Sequence, residues 1–295
     1  MDAGASAARA PNAASGPIPQ RGPILVLGCG VVGASAAAGW SVAGHEVWGY
    51  DRRDLTPLVE RGWLARQVPA EALDASLAEA AVVLLALPVS GILAALRRLP
   101  FRAGQLVTDA GSVKAAVMAA AASLPAGVDF VGGHPMAGSE ASGYEAARAD
   151  LFAGATWALA GADEPAARVA LLVAELGATP LLCDAAEHDR VVALTSHLPQ
   201  LLATALAAEL ESRGEPLATA LLGPGGRSSL RLAGSSLEVW RDVLDHNRDE
   251  VDRALAAVAA RAGQPVAALA EEFELARRFA ARLAPSSKPA KPAGA

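Results

Sequence analysis

The chain has 295 residues, which is enough for two domains, because single hydrophobic cores usually stop growing at roughly 250 to 300 residues. Hydrophobic residues make up 53% of the chain and charged residues 19%, a composition that excludes intrinsic disorder for most of it. The formal net charge is -6, from 25 Lys and Arg against 31 Asp and Glu. This balance excludes a large phosphate-binding surface and argues against a nucleic-acid partner.

Neither a membrane span nor a metal site is predicted. Pro88, Gly91 and Arg97 interrupt the most hydrophobic stretch, so no unbroken apolar run reaches the ~18 residues that a span requires. Cys29 and Cys183 are too few for a disulfide framework or a multi-cysteine metal site, and the chain start lacks the pattern of a secretory signal. We therefore expect a cytoplasmic protein.

Residues 1–20 and 284–295 are rich in Gly, Pro, Ser and Ala, and we expect them to be disordered tails. Between them, residues 21–184 alternate short aliphatic runs with alanine-rich amphipathic runs. This alternation is typical of a doubly wound α/β domain with a parallel sheet and crossover helices. The predicted strands are residues 24–27, 45–51, 81–87, 105–108, 129–132, 156–160 and 179–183.

Residues 185–283 are predicted to form an all-helical second domain, because leucine and alanine recur there at helical spacing. The predicted helices are residues 185–212, 216–222, 237–262 and 265–283. About 110 residues of one chain cannot bury all the apolar faces of these helices, so we expect a homodimer. The apolar stripe comprises Leu194, Leu198, Leu201, Leu202 and Leu206.

The motif Gly28-x-Gly30-x-x-Gly33 lies between the first predicted strand and an alanine-rich helix. In that setting Gly28 permits a tight turn, Gly30 lets a pyrophosphate approach the backbone, and Gly33 lets the helix lie close to the strand. The alternative is a glycine-rich turn in a similar sheet that binds no cofactor. The context favours a dinucleotide site.

Asp51 ends the next predicted strand, at the position where a carboxylate accepts hydrogen bonds from an adenosine ribose. That carboxylate would repel the 2′-phosphate of NADP, so NAD is favoured. Arg52 and Arg53 follow it directly, and a guanidinium can bind that phosphate. Use of NADP therefore stays open.

Two polar segments follow later strands. The run LVTDAGSVK (106–114) places Ser112 near a predicted helix start, where it is either an N-cap or a site residue. The run VGGHPMAGSEASG (131–143) places His134 at the end of the next strand. Because the carboxyl ends of strands face the ligand crevice, His134 is a candidate general base, with a structural histidine as the alternative.

Five segments together carry a family resemblance: GCGVVGAS, TDAGSVK, GGHPMAGSE, EHDRVVALTSHLP and LRLAGSSLEVWRD. From about Pro23 to about Arg282, the chain resembles the prephenate/arogenate dehydrogenase family of tyrosine biosynthesis. The resemblance implies a Rossmann-type domain followed by an all-α dimerisation domain similar to the C-terminal domain of 6-phosphogluconate dehydrogenase. It also implies NAD-dependent oxidative decarboxylation of prephenate to 4-hydroxyphenylpyruvate.

The resemblance assigns roles to individual residues. It implies that His134 accepts the proton of the substrate's 4-hydroxyl group, that Ser112 orients this histidine, and that Arg231 binds a substrate carboxylate. Further substrate contacts are implied for Ser139, Ser196, His197 and Gln200, and cofactor contacts for Gly28, Gly30, Val31, Val32, Gly33, Asp51, Arg52 and Pro88.

Gln200 stands where prephenate-preferring members frequently carry a histidine, so arogenate, which would give tyrosine directly, is the alternative substrate. His188 and Asp189 are interpreted as structural residues at a helix start. A β-hydroxyacid or imine reductase is a rival, although residues 185–210 offer no catalytic lysine. A non-catalytic NAD-sensing regulator is a more distant alternative, and it would need neither His134 nor Arg231.

Overall fold

A computed structural model describes Arg9 and residues 22–138, 143–214 and 216–283. Ser139 and the two predicted tails lie outside the described residues, with the exception of Arg9. Its backbone pairs with that of Leu182 through hydrogen bonds of 2.9 and 2.8 Å, and its guanidinium lies 2.6 Å from Asp163.

The described residues form one sheet of eight strands in the order β3-β2-β1-β4-β5-β6-β7-β8. The first six strands of this order are parallel, as expected for a Rossmann-type domain. Strand β7 runs antiparallel to β6, and β8 is parallel to β7, so the predicted parallel sheet is wrong for its last two strands. The strands are β1 (Ile24–Leu27), β2 (Val47–Tyr50), β3 (Arg66–Gln67), β4 (Val82–Leu85), β5 (Leu106–Asp109), β6 (Asp129–Pro135), β7 (Thr156–Ala160) and β8 (Thr179–Leu182).

Helices cover both faces of the sheet, which confirms the doubly wound architecture. Successive side chains of a strand point to opposite faces. Accordingly, Ile24 and Val26 of β1 belong to one buried cluster, while Leu25 and Leu27 belong to the other. The helices of this part are α1 (Val31–Val42), α2 (Thr56–Glu60), α3 (Leu73–Glu79), α4 (Val89–Arg98), α5 (Ala115–Ala121) and α6 (Asp163–Glu175), with 3₁₀ turns at Ala70–Ala72 and Tyr144–Ala146.

The chain is helical after β8, as predicted, but the elements are divided differently. The predicted helix over residues 237–262 is interrupted at Asn247, and residues 224–234, predicted as a loop, are helical. The helices are α7 (Ala185–Val192), α8 (Leu198–Arg213), α9 (Ala218–Leu221), α10 (Pro224–Leu230), α11 (Leu237–His246), α12 (Arg248–Ala262) and α13 (Leu269–Leu283), with 3₁₀ turns at Arg231–Gly234 and Val266–Ala268.

One continuous helical run, Ala185–Arg213, joins α7 to α8 through a π-helical segment at Ala193–His197. The π segment ends two residues before Pro199, which lies in the first turn of α8, where a proline does not break the helix. By length and composition the 29-residue run could cross a membrane, whereas no membrane span was predicted from the sequence. One third of its most apolar window is buried in the protein, and core helices of soluble proteins pass the same test.

The predicted apolar stripe is only partly exposed. Leu194, Leu202 and Leu206 are 41 to 49% exposed, and Val191 is exposed beside them. We call these four residues the apolar face. Leu198 is buried and belongs to the interior, although it is four residues from both Leu194 and Leu202.

The chain divides into two compact units, one ending at Val251 and the other beginning at Asp252, within α12. In the second unit, Arg261 forms a two-pronged ion pair with Glu272 at 2.9 and 2.7 Å, which joins α12 to α13. Phe273 and Phe279 of α13 are exposed. The division at residue 184 between a dinucleotide-binding and a helical domain stays a prediction.

Candidate active site

The glycine motif forms a tight turn between β1 and α1. Gly28 has a φ of +93°, and a β-carbon there would lie 2.4 Å from the carbonyl oxygen of Ala86. A β-carbon on Gly33 would lie 1.9 Å from the carbonyl oxygen of Gly28, so α1 packs directly on the turn. At Gly30 a β-carbon would meet no atom within 4 Å. The turn is therefore closed at Gly28 and Gly33 and open at Gly30, where a phosphate group can approach.

The first turn of α1 faces that opening. Helix α1 begins at Val31, followed by Val32, and its N-cap residue Gly30 provides no side-chain acceptor for the first N–H groups of the helix. Unpaired N–H groups at a helix N-terminus bind anions. This arrangement fits the pyrophosphate of a dinucleotide at the predicted positions.

Asp51 follows β2 and lies beside the same turn. Its carboxylate accepts hydrogen bonds from the backbone N–H of Cys29 at 2.8 Å and from that of Arg53 at 3.0 Å, and the Arg53 guanidinium lies 3.3 Å away. Partial burial acts to raise the pKa of Asp51, but these hydrogen bonds outweigh it and hold the pKa below its usual value. Asp51 is thus ionised and held in position by its hydrogen bonds.

Arg53, rather than Arg52, is the arginine that the structure places at this carboxylate. Its guanidinium also donates to the carbonyl oxygen of Cys29 at 3.1 Å and lies over the ring of Tyr144. Arg52 is exposed. The sequence did not show which of the two arginines contacts Asp51, because the direction of each side chain depends on the backbone conformation of the turn after β2.

Pro88 lies at the carboxyl end of β4, directly before α4. The first turn of α4 is capped by a residue distant in sequence: Asp242 of α11 accepts from the backbone N–H of Ser90 at 3.0 Å and from its hydroxyl at 2.6 Å. Because a carboxylate at a helix N-terminus is stabilising, this contact ties the turn around Pro88 to α11.

A chain of hydrogen bonds begins at His134, near the end of β6. His134 Nδ1 lies 2.9 Å from Nε2 of His188, and Nδ1 of His188 lies 2.7 Å from the Asp189 carboxylate. His188 and Asp189 belong to α7 and are buried, while His134 is half-buried. The structure therefore links the predicted base to two residues that the sequence reading had assigned to a helix start.

The Asp189 carboxylate caps a different helix from its own. Its two oxygens accept from the backbone N–H groups of Lys114 at 2.7 Å and Ala115 at 2.8 Å, at the start of α5. The side chain of Lys114 is buried and ion-paired with Asp109 at the end of β5. The N-cap of α7 is instead Asp184, which accepts from two N–H groups of its first turn.

The hydrogen bonds determine which ring nitrogen carries a proton. An ionised Asp189 can only accept, so Nδ1 of His188 is the donor and its Nε2, in the neutral ring, is the acceptor. His134 must then donate from Nδ1. In neutral His134 this leaves Nε2 with a free lone pair, which is the form that a general base requires.

Burial lowers the pKa of His134 well below its usual value, and positive charge on His188, Lys114 or His197 lowers it further. His134 is consequently neutral over the physiological pH range. It can accept a proton from a bound hydroxyl group without first losing one.

His197 is in a different state. It is buried, and its Nδ1 lies 3.1 Å from the side-chain nitrogen of Asn247, which also donates to the carbonyl oxygen of Asp189 at 2.9 Å. Nδ1 of His197 is therefore an acceptor, and the neutral ring carries its proton on Nε2. Burial lowers the pKa of His197 to about 4. Its ring lies edge-on to Trp240, with centroids 6.0 Å apart.

Ser112 follows β5 and is half-buried, three residues before α5 begins. It is therefore not the N-cap of α5, a position that Lys114 occupies. Since β5 and β6 are adjacent parallel strands, Ser112 and His134 lie at the same edge of the sheet.

The remaining predicted substrate residues lie on the helical elements. Arg231 begins an exposed 3₁₀ turn, and Ser196 is exposed on the π segment. Gln200 is buried, and its amide nitrogen donates to the carbonyl oxygen of Leu232 at 2.8 Å and to Thr204 at 3.2 Å, while its substrate contact stays a prediction. Gln200 thus fixes the backbone next to Arg231.

Sequence reasoning missed His188, Asp189, Asn247 and the pair of Lys114 with Asp109 as parts of this network. A signal was available only for Asp109, which ends a strand at the ligand edge. The others contact residues at least 50 positions away along the chain, and spacing does not reveal such contacts.

Two family models match the chain. That described as prephenate dehydrogenase, nucleotide-binding domain, matches residues 41–179, and that described as prephenate dehydrogenase, dimerization domain, matches residues 184–281. A prephenate dehydrogenase of Lactococcus lactis is 35% identical over 234 residues, which are 76% of this chain and 64% of the relative. The chain thus spans slightly less than two thirds of the length of that relative.

Solved structures are similar over most of the chain. Arogenate dehydrogenase from Synechocystis is 28% identical, with a TM-score of 0.74, and the match covers 88% of this chain and 97% of that one. Prephenate dehydrogenase from A. aeolicus, in complex with hydroxyphenyl propionate and NAD+, is 25% identical, with a TM-score of 0.78, and the match covers 90% and 98%.

The two glycines of the turn should respond differently to the same change. Gly33→Ala places a β-carbon against the Gly28 carbonyl and should lower the free energy of unfolding by about 1 to 3 kcal/mol. Gly30→Ala meets open space, so its stability should stay within about 0.5 kcal/mol of wild type while its affinity for the dinucleotide falls. Thermal unfolding and calorimetric titration measure both quantities. Equal destabilisation by the two variants would contradict this description of the turn.

Proposed function

The chain belongs to the prephenate dehydrogenase family, and from this premise we propose that it catalyses the NAD-dependent oxidative decarboxylation of prephenate to 4-hydroxyphenylpyruvate. The observation that carries the proposal is the 2.9 Å contact of His134 Nδ1 with Nε2 of His188, at the carboxyl edge of the sheet, where ligands of this fold bind. With Asp189 ionised and His188 neutral, this hydrogen bond leaves Nε2 of His134 unprotonated.

The reaction needs a base and a hydride acceptor. NAD, when bound, supplies the hydride acceptor, and the residues that would hold it are Gly28, Gly30 and Gly33, with the first turn of α1 and Asp51. His134 Nε2 would accept the proton of the substrate hydroxyl group while a hydride leaves the ring carbon that bears this hydroxyl. An alcohol becomes a carbonyl only if it loses both the proton and the hydride.

The proton balance follows from the overall reaction. One hydrogen of the substrate leaves as hydride, and the ring carboxylate leaves as carbon dioxide while its bonding electrons complete the aromatic ring. The hydroxyl proton is only held by the protein and returns to the phenolate oxygen of the product. Ser112, at the same edge as His134, is proposed to orient the substrate hydroxyl towards Nε2.

Substrate binding is proposed to depend on the helical elements. Prephenate carries two carboxylates, and Arg231 is proposed to bind one of them because a guanidinium matches that group bidentately. Gln200 supports this role through its hydrogen bond to the adjacent Leu232 carbonyl. Ser196 is a further proposed contact, and Ser139 stays a sequence-based prediction.

Arogenate is a second candidate substrate. It differs from prephenate by an ammonium group in place of the keto oxygen. Among the described residues, the Oε1 atom of Gln200 is a buried acceptor without a hydrogen-bond partner, and an ammonium is a donor. No observation favours the other two alternatives, a β-hydroxyacid or imine reductase and a non-catalytic NAD-sensing regulator.

We also propose a homodimer assembled through the helical part, in the cytoplasm. The match to a dimerization domain and the apolar face of Val191, Leu194, Leu202 and Leu206 support the dimer. Such a contiguous exposed apolar surface is typical of an interface.

The activity is tested by the absorbance of NADH with prephenate and, in parallel, with arogenate. We expect turnover of at least one substrate, and His134→Asn should lower kcat by ~10²-fold or more with a modest change in KM. Because the base must be neutral and its pKa is depressed, activity should be lost with falling pH only below about 6.5. His134→Asn should remove this acid limb.

His45 provides a matched control, because it also forms a histidine–carboxylate pair, 2.7 Å from Glu175, but lies before the amino end of β2, whereas His134 lies near the carboxyl end of β6. His45→Asn should keep the wild-type kcat and pH profile. If His197→Asn lost the acid limb and His134→Asn kept it, the base would be assigned to the wrong residue.

Asp51 is expected to make NAD the preferred cofactor. Asp51→Ser removes the charge that would repel a 2′-phosphate and releases Arg53 to bind it, so the ratio of kcat/KM for NADP to that for NAD should rise. Asp54→Ser, which removes an exposed carboxylate three residues further on, should leave the ratio unchanged. A wild-type enzyme that prefers NADP would refute this role.

The apolar face should control association. Light scattering should give a dimer at micromolar concentration, and Leu202→Asp or Leu206→Asp should shift it towards monomer, because a buried unpaired carboxylate is costly. Val42→Asp replaces another exposed apolar residue, on α1, and should leave the mass unchanged. A monomeric wild type would exclude the dimer.

A further inference from the structure

The hydrogen-bond chain from His134 leads away from the reacting hydroxyl to a second imidazole that a carboxylate supports. Nε2 of His188 is 2.9 Å from His134 Nδ1, and Asp189 is 2.7 Å from the far nitrogen of His188. We propose that His188 acts as a proton relay: it takes the Nδ1 proton of His134 when His134 Nε2 accepts the hydroxyl proton. This role rests on the proposed function.

The charges around the two rings favour the proton on His188. His134 is packed near Lys114, whose charge disfavours a second cation, although Asp109 offsets part of it. His188 lies directly against the buried Asp189 carboxylate, which two backbone N–H groups of α5 hold in place. An imidazolium on His188 is therefore paired, while one on His134 is not.

The other titratable groups near the rings do not provide a competing site for this proton. Nδ1 of His197 already accepts from Asn247, and burial keeps its pKa at about 4. Burial also raises the pKa of the Cys183 thiol, so Cys183 is neutral. Glu187 lines the cavity that borders His188, and its carboxylate is paired with Arg190 at 3.8 Å.

The transfer is balanced. The O–H bond of the substrate breaks and an N–H bond forms at His134 Nε2, while the N–H bond at His134 Nδ1 breaks and one forms at His188 Nε2. His188 becomes an imidazolium that donates from Nδ1 to Asp189, and His134 ends neutral with its proton on Nε2. The steps reverse when the phenolate oxygen takes the proton back.

The structure offers a direct way to separate proton transfer from positioning. A cavity of about 170 Å³ borders His188 and is lined mainly by apolar side chains, among them Met136, Leu181 and Val191. Met136 is 42% exposed and is not part of the apolar face, so the cavity is reached from solvent beside this residue. Removing the imidazole by His188→Ala would enlarge it and admit a small ring.

The experiment compares rescue of His188→Ala by imidazole and by pyrazole, two rings of the same size of which only imidazole is an effective base. We expect His188→Ala to lower kcat by at least ~10-fold with KM for NAD unchanged. Millimolar imidazole should restore much of kcat, in proportion to the free-base fraction of imidazole as pH is varied, while pyrazole should not. Calorimetric NAD binding and the melting temperature verify the fold of the variant.

His45→Ala is the matched control, since it removes an imidazole from the remote pair with Glu175 and should show neither loss nor rescue. A His188→Ala enzyme with kcat within two-fold of wild type would overturn the relay. Equal rescue by both rings would show that His188 only positions His134, and rescue by neither would also contradict proton transfer. If wild type turned over neither substrate, the proposed function itself would fail. This outcome differs from failure of the relay alone, in which wild type is active and His188→Ala keeps the kcat of wild type.

Discussion

The Asp189 carboxylate is the buried charge on which the geometry of the candidate site depends. A buried carboxylate is tolerated only when its oxygens are fully hydrogen-bonded, and Asp189 meets this condition with two N–H groups at the start of α5 and the ring of His188. Its backbone carbonyl accepts from Asn247. One residue thus joins the turn after β5, the helix after β8 and the segment between α11 and α12.

From that anchor the protonation states follow in sequence. Asp189 determines that His188 donates from Nδ1, and His188 determines that His134 does the same, so Nε2 of His134 is the free acceptor. Asn247 sets the opposite tautomer in His197. The two histidines therefore have different chemistry, and the difference arises from their second hydrogen-bond partners. The proposed base is the one whose Nε2 is left free.

Much of the fold followed from local patterns in the sequence. The glycine turn, Asp51 and the position of His134 depend on residues close together along the chain, so motif and periodicity were sufficient to predict them. The direction of β7 and β8 was not predictable, because a buried strand reads the same in either direction. Asn247 was hidden in an otherwise regular helical pattern that continues on both sides of it.

The residues around the base were harder to predict, because their roles depend on tertiary contacts. The pairing of His134 with His188 joins residues 54 positions apart, and Asp189 was assigned to its own helix although it caps α5. The hydrogen bond from the Gln200 amide nitrogen to the Leu232 carbonyl was likewise not predicted. The sequence identified these residues as polar, yet only the three-dimensional structure shows their partners.

The central claim, that Asp189 and His188 leave Nε2 of His134 as the free base, is tested most directly by the ¹⁵N NMR shifts of the histidine rings in the protein without substrate. The account predicts that neutral His134 carries its proton on Nδ1 and has an unprotonated Nε2, and that His197 shows the reverse. A protonated Nε2 in neutral His134 would contradict the account, because that ring could not accept a proton from a bound hydroxyl group.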